Sequence, residues 1–408
     1  MSAGRGAWAR FAAAAGPGLV VMFADTDAGS IVTAAQSGAQ WGYGLLALQI
    51  ALIPVLYVVQ ELTVRLGIVS GVGHGTLIRR NFGAAWAWFS VGTLVLACLG
   101  ALLSELSGLA GVGQLFGVPR GTTMALVFGG LCLMALSGSY RSVERCAMAF
   151  GAFELVFFFL AWRAGPDPAS LLQGMTVQPW ARLDYRYMVA ANIGAVLMPW
   201  MVFFQQSSIV EKGLGRDDLA AARWDTLLGA IVTQLIMAAV LVATAAGLGE
   251  SGRGLPLDSV VQIAEAYTHA LGPTVGHLLF GMGLAGSALV ATIVVTLTAA
   301  RSLAELLGRE HTLEHTPREA PWFYGVYVFA LGAGALVVAT QSDLVRLSVG
   351  VQVMNALLLP VVLGFLYLLA RRLPGADGLR GIAAVAVLAV IVITTSPGVY
   401  SALSGVLA

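Results

Sequence analysis

The stretch "VVMFADTDAGSIVTAAQSGAQWGY" (residues 20–43) begins as a membrane segment and is interrupted at Asp25-Thr26-Asp27-Ala28-Gly29-Ser30. Two carboxylates stand where lipid or packed protein would be expected. A carboxylate at the centre of a bilayer costs about 3 kcal/mol on insertion scales and more in simulation. Such a group is retained where a ligand, a proton or a partner compensates it. The break therefore marks both a change in the helix and a candidate site.

The composition around this stretch supports a membrane setting. The chain has 408 residues, of which 58% are hydrophobic and only 11% charged, with a mean hydropathy of +0.85. Soluble domains carry about 25% charged residues. The apolar runs are about 20 residues long and unbroken, as helices require, and lack the alternating segments of about 10 residues that a barrel uses. The formal net charge of +1 points to no nucleic acid or other polyanionic partner; the partner this composition implies is the lipid bilayer. Cys98, Cys132 and Cys146 are far apart in or beside apolar runs and read as packing residues. No cleavable signal pattern stands apart from the first span.

Eleven spans are expected, at roughly 13–38, 44–66, 85–112, 121–140, 144–163, 188–211, 224–248, 272–306, 322–340, 344–370 and 379–403. With the N-terminus in the cytoplasm, this division puts 16 of the 22 Lys and Arg residues on the inside and 6 on the outside. That agrees with the positive-inside rule and places the C-terminus outside. The connections are too short for a soluble domain, so 1–408 reads as one all-α transmembrane unit. His311 and His315 are four apart in a charged loop, with no third ligand nearby, and read as a solvated linker.

A second break falls in span six, within "ANIGAVLMPWMVFFQQSS" (191–208). Pro199 lacks an amide hydrogen and clashes with the carbonyl one turn back, so the helix opens around Ala195 and Leu197. Gly29 and Gly194 permit unwound backbone near the two breaks. The breaks are five spans apart, and interrupted helices at matching positions in two halves point to an ion site of an inverted-repeat transporter. The halves would be roughly 13–163 and 188–370, with 379–403 as an extra helix. Asp27 offers an anionic oxygen, Ser30 a neutral one, Ala195 its carbonyl and Met198 a thioether. Oxygens alone suit Mg²⁺ or Ca²⁺, whereas a sulfur helps Mn²⁺, Fe²⁺ and later metals.

These same residues carry a family resemblance. "AGPGLVVMFADTDAGSIVTAAQSGAQWGYGLL", "ELTVRLGIVSG" (61–71), "GAVLMPW" (194–200) and "GMGLAGSALVATIVVTLTAA" are similar to the first, second, sixth and eighth spans of the Nramp divalent-metal transporters. The resemblance implies a LeuT-like 5+5 inverted repeat with broken helices 1 and 6. It also implies a metal site of Asp27, Ser30, the Ala195 carbonyl and Met198. Asp27-Ala28-Gly29-Ser30 stands where the family has Asp-Pro-Gly-Asn, so Ser30 replaces an asparagine ligand. Asp25 adds a second carboxylate. Trp200 and Gln205 replace the two histidines of span six. Glu105 is kept, but Leu102 takes the place of its acidic neighbour.

Proton coupling needs groups that titrate near working pH, and these replacements remove several of them. Asp25, Glu105, Trp200 and Gln205 are therefore expected around the ion site or along an ion or proton pathway. The implied activity is inward movement of Mn²⁺ or similar ions (Fe²⁺, Cd²⁺) with weak or no proton coupling. The alternative is a Mg²⁺ carrier holding a partly hydrated ion. Met198 favours the first reading; Ser30, Asp25 and the missing titratable groups favour the second. A LeuT-like carrier of organic solutes is a more distant alternative, since Asp27 would repel a substrate carboxylate. No nucleophile–base motif indicates an enzyme, and no resident cofactor is implied.

Overall fold

The computed structural model describes residues 16–136, 149–252, 254–308, 317–341 and 343–406. His311, His315 and Cys146, together with the expected span ends at 13–15 and 137–148, lie outside the described residues. The described chain is helical throughout, with no strand. Its helices are α1 (Pro17–Asp25), α2 (Ala28–Trp41), α3 (Leu46–Ser70), α4 (His74–Phe82), α5 (Ala84–Leu115) and α6 (Arg120–Leu136). After a 3₁₀ turn at Ala152–Leu155 follow α7 (Val156–Ala164), α8 (Pro168–Thr176), α9 (Leu183–Val196), α10 (Pro199–Glu211) and α11 (Leu219–Gly252). The chain continues through α12 (Val260–Glu265), α13 (Thr268–Leu271), α14 (Pro273–Leu306), α15 (Pro321–Thr340), α16 (Leu344–Arg372) and α17 (Gly381–Val406).

Among the described residues, eight helices are long and apolar enough to cross a membrane, and the number rises to ten if each of two bent pairs counts as one span. One pair is α1 and α2, bent by 49°; the other joins Ala149–Ala164 to α8 at 108°. The fourth expected span appears as a shorter apolar helix, Arg120–Ala135. A count of eleven full spans is therefore not reached among the described residues.

Both interrupted spans expected from sequence are interrupted at the expected residues. In the first, α1 ends at Asp25 and Asp27 is extended (φ −77°, ψ 173°). In the second, Leu197 (φ −121°, ψ 88°) and Met198 (φ −98°, ψ 138°) leave the helix before Pro199 starts α10. The span α9–α10 is deeply enclosed, with 94% of its apolar window buried. It packs along α16 and α17, while α11 packs on α2 and α3, and α5 lies along α14 and α16.

Small residues allow these approaches, as is general for helices in membranes. A Cβ on Gly194 would stand 1.8 Å from the Gln352 carbonyl oxygen, and one on Gly38 would stand 2.4 Å from that of Leu241. The two broken spans are thus clamped against α16 and α11 by backbone-to-backbone contact.

Candidate metal site between two broken helices

The first break supplies its own cap. Asp27 Oδ1 accepts the Ser30 amide at 2.6 Å and so satisfies a free donor of the first turn of α2. Asp27 Oδ2 is buried and has no hydrogen-bond partner. The second break frees a carbonyl, because Pro199 has no N–H to donate to Ala195 four residues earlier. The Ser30 hydroxyl takes up that carbonyl, donating to Ala195 O at 2.9 Å. This bond joins the two breaks directly. It uses one Ser30 proton and one Ala195 lone pair, so each oxygen retains lone pairs for a cation.

Glu105 reaches the break from α5. Its Oε2 accepts the Ala28 amide at 2.9 Å, which holds its carboxyl in the neighbourhood of Asp27. Glu105 Oε1 has no other partner. Met198 is buried at the N-terminus of α10, and the Trp200 indole N–H donates to its sulfur at 3.2 Å. Gln205 lies two turns further on and is turned to α11, donating to Thr226 Oγ1 at 3.1 Å. Asp25 closes α1, and both its carboxylate oxygens are buried without a hydrogen bond. Asp27, Ser30, Ala195 and Glu105 are therefore tied into one polar cluster. Met198 and Trp200 form an adjoining pair, and Gln205 stands apart from the cluster.

Two further residues belong to this neighbourhood and were not singled out from sequence. Gln352 of α16 faces the first break, since a Cβ on Gly29 would stand 2.1 Å from its amide nitrogen. That nitrogen is buried without a partner, while Asn355 donates to Gln352 Oε1 at 2.9 Å. Glu154, in the 3₁₀ turn before α7, is wholly buried near Asp25 and Thr26. Gln352 and Glu154 are polar residues inside apolar spans, which was the available signal. Among the described residues, no three His, Cys, Asp or Glu side chains are grouped to hold a metal. Any ion here would rest on Asp27, with the Glu105 carboxyl beside it, and on neutral oxygens and sulfur.

A cavity of about 660 Å³ opens at the far end of α2, lined among others by Gln36, Asp184, Asp258, Asp343 and Arg346. Gln36 is locked to the Leu257 backbone, accepting its amide at 3.1 Å and donating to its carbonyl. Six residues separate Gln36 from Ser30, about 9 Å along a helix.

Comparison with known proteins agrees with this geometry. The family profile described as Nramp, natural resistance-associated macrophage protein-like, matches residues 18–404. The chain belongs to the Nramp family. Among its relatives is the divalent metal cation transporter MntH of Bradyrhizobium diazoefficiens, 27% identical over 305 residues, covering 71% of this chain and 67% of that protein. MntH 1 of Pseudomonas aeruginosa is 29% identical over 306 residues, covering 69% and 67%. The fold is similar to that of the Eremococcus coleocola manganese transporter, with a TM-score of 0.78 at 18% identity, over 100% of this chain and 90% of that one. It is also similar to Mhp1, a nucleobase-cation-symport-1 family transporter, with a TM-score of 0.61 at 14% identity over 96% and 91%. The LeuT-like architecture expected of an Nramp chain is therefore observed.

Proposed function

We propose that this Nramp protein carries divalent transition-metal ions, Mn²⁺ foremost, across the membrane into the cell, with weak or no coupling to protons. The observation that carries this reading is the Ser30–Ala195 hydrogen bond, which holds the two helix breaks together beside the unpartnered Asp27 oxygen. The ion rests on Asp27 Oδ2, Ser30 Oγ and the Ala195 carbonyl, with the Met198 thioether as the soft ligand. Relatives named as divalent metal cation transporters and a manganese transporter of similar fold support the substrate class. The N-terminus lies in the cytoplasm and the C-terminus outside, by the charge asymmetry of the loops. Weak proton coupling follows from Trp200, Gln205 and Leu102, which hold no exchangeable charge at these positions.

One observation favours Mg²⁺ instead. The Trp200 N–H occupies part of the Met198 sulfur's electron density, which weakens it as a ligand and leaves an oxygen-only site. Proteoliposome uptake of Mn²⁺ against excess Mg²⁺ distinguishes the readings. A thioether contributes little to Mg²⁺, which sheds its waters reluctantly. The wild type should resist Mg²⁺ competition, and Met198→Ala should lose about tenfold of that discrimination, or about 1.4 kcal/mol. Equal competition by Mg²⁺ in both proteins would overturn the Mn²⁺ reading.

A further inference from the structure

The seam where α5, α14 and α15 meet is hollow on its outer side. Each of these helices is long and apolar enough to cross a membrane, and each packs on the other two. A groove of about 500 Å³ runs between them, walled by Leu99 of α5, Leu303 of α14 and the stretch of α15 from Pro321 to Ala330. Phe329 in that stretch is 77% exposed, so the groove opens sideways, away from the bundle. Gly325 leaves room in it, because a Cβ there would meet no atom within 4 Å. From Pro321 to Ala330 the wall rises about 14 Å. That is close to half of a hydrocarbon core of about 30 Å.

The end of the groove at Pro321 is basic. Arg318 is exposed three residues before Pro321. Arg79 of α4 reaches the last turn of α14, with Nη1 at 3.5 Å from Leu306 O, one turn beyond Leu303. Arg80 beside it is exposed, and Arg372 donates to Asn81 O at 2.7 Å on the same short helix. Two carboxylates stand nearby. Glu305 is turned to α4, where it accepts the Thr76 amide at 3.2 Å and the Thr76 hydroxyl. Glu319 already has an interaction of its own. The first turn of α15 holds no acid and no side-chain cap, so its free N–H groups add partial positive charge. Trp322 is 56% exposed at this level, as aromatic residues are at the boundary of hydrocarbon and water.

We propose that this groove binds one anionic phospholipid, with an acyl chain along α15 and the phosphate against Arg318 and Arg79. An apolar channel the length of one leaflet takes a hydrocarbon chain. Guanidinium groups at its end select a phosphate by charge-assisted hydrogen bonds. A second copy of this chain fits the surface less well. Two copies related by a two-fold axis along the bilayer normal would set their basic ends side by side, where like charges repel. The lipid thus fills the seam between α14 and α15 and neutralises the charge at its mouth.

The test is native mass spectrometry of the purified, delipidated full-length protein, titrated with dioleoyl phosphatidylglycerol or dioleoyl phosphatidylcholine. The wild type should retain one phosphatidylglycerol per chain at a concentration at least tenfold below that needed for phosphatidylcholine. Gly325→Leu, which fills the groove where a Cβ has space, should lose this retained lipid. Arg318→Gln combined with Arg79→Gln should erase the preference between the two lipids while leaving weak retention of both. Thermal melting near that of the wild type shows that each variant is folded, and the two sets of variants read the groove and its mouth independently. Equal retention of the two lipids by the wild type, or unchanged retention of phosphatidylglycerol in folded Gly325→Leu, would overturn the proposal. So would displacement of the lipid by glycerol phosphate, which would assign the basic end to a free phosphate. A wild-type dimer that Gly325→Leu dissociates would assign the groove to a second copy instead.

Discussion

At the scale of single residues, Asp27 combines two roles that mutation can separate. One oxygen caps α2, and the other is free and buried. Asp27→Ala removes both, and uptake of Mn²⁺ in proteoliposomes should fall more than about 100-fold, equivalent to about 2.7 kcal/mol. Asp27→Asn keeps a capping oxygen, so expression and melting should recover while transport stays lost. Uptake near the wild-type rate in either variant would remove Asp27 from the ion site. Ser30→Ala should cost less, within about tenfold, because a water can take the place of the hydroxyl between the ion and the Ala195 carbonyl. These residues were legible in the sequence because an acid and a proline in apolar runs each have few physical explanations. Gln352 and Glu154 were less so. A single polar residue within a long apolar helix does not disclose which neighbour it faces, and both gain meaning only from the packing of α16 on α2 and of span five on α1.

At the scale of elements, the breaks are fixed by what presses on them. Gly194→Ala would drive a methyl group toward backbone, 1.8 Å from the Gln352 carbonyl oxygen. The helices would have to separate, and the cost should exceed the usual 1–3 kcal/mol of an overpacked site. At Gly29 the nearest atoms are the ends of the Gln352 and Ser104 side chains, which can rotate away. Gly29→Ala should therefore melt closer to the wild type than Gly194→Ala in a fluorescence-detected thermal assay, and the reverse order would contradict the packing argument. The sequence suggests that both glycines permit unwound backbone nearby; in the structure both lie within helices, and their role is close packing, rigid at Gly194 and adjustable at Gly29.

The short helix α4 gives a pH dependence. His74 is buried there; its Nδ1 pairs with Gln206 Oε1 at 2.8 Å, and the Gln206 amide donates to Val72 O at 2.8 Å. The Gln206 oxygen is thus an acceptor, His74 Nδ1 donates, and the ring is neutral. Burial pushes its pKa from 6.5 down to about 4. The unfolded chain binds the proton more readily, so this group's stabilisation is fully present above pH 6.5 and is lost as pH falls toward 4. The difference amounts to on the order of 3 kcal/mol. Between pH 7 and pH 5 the wild type should lose more thermal stability than His74→Gln. Parallel losses would mean that other groups control the acid sensitivity.

At the scale of the whole molecule, the arrangement of charge concerns how a dilute cation reaches a buried site. The 660 Å³ cavity beyond α2 is lined by three carboxylates, Asp184, Asp258 and Asp343, and one guanidinium, Arg346. Asp184 is paired with Arg182 at 2.8 Å, so the excess negative charge rests on Asp258 and Asp343, and a concave surface with such an excess raises the local concentration of cations. Asp343 also caps α16 through the Arg346 amide at 2.9 Å, so Asp343→Asn preserves a good capping side chain. Asp258→Asn with Asp343→Asn should raise the apparent KM for Mn²⁺ roughly two- to fivefold at low ionic strength while leaving the maximal rate nearly unchanged. The effect should fade near 0.5 M salt, where screening lengths fall to a few ångströms. This dependence separates attraction at the mouth from damage at the site, since a distorted Asp27 cluster would lower the maximal rate at every salt concentration. A KM unchanged at low salt would mean that Gln36, bonded to the Leu257 backbone, already closes this route. Entry from this side would then be controlled by breaking that contact rather than by the field around it.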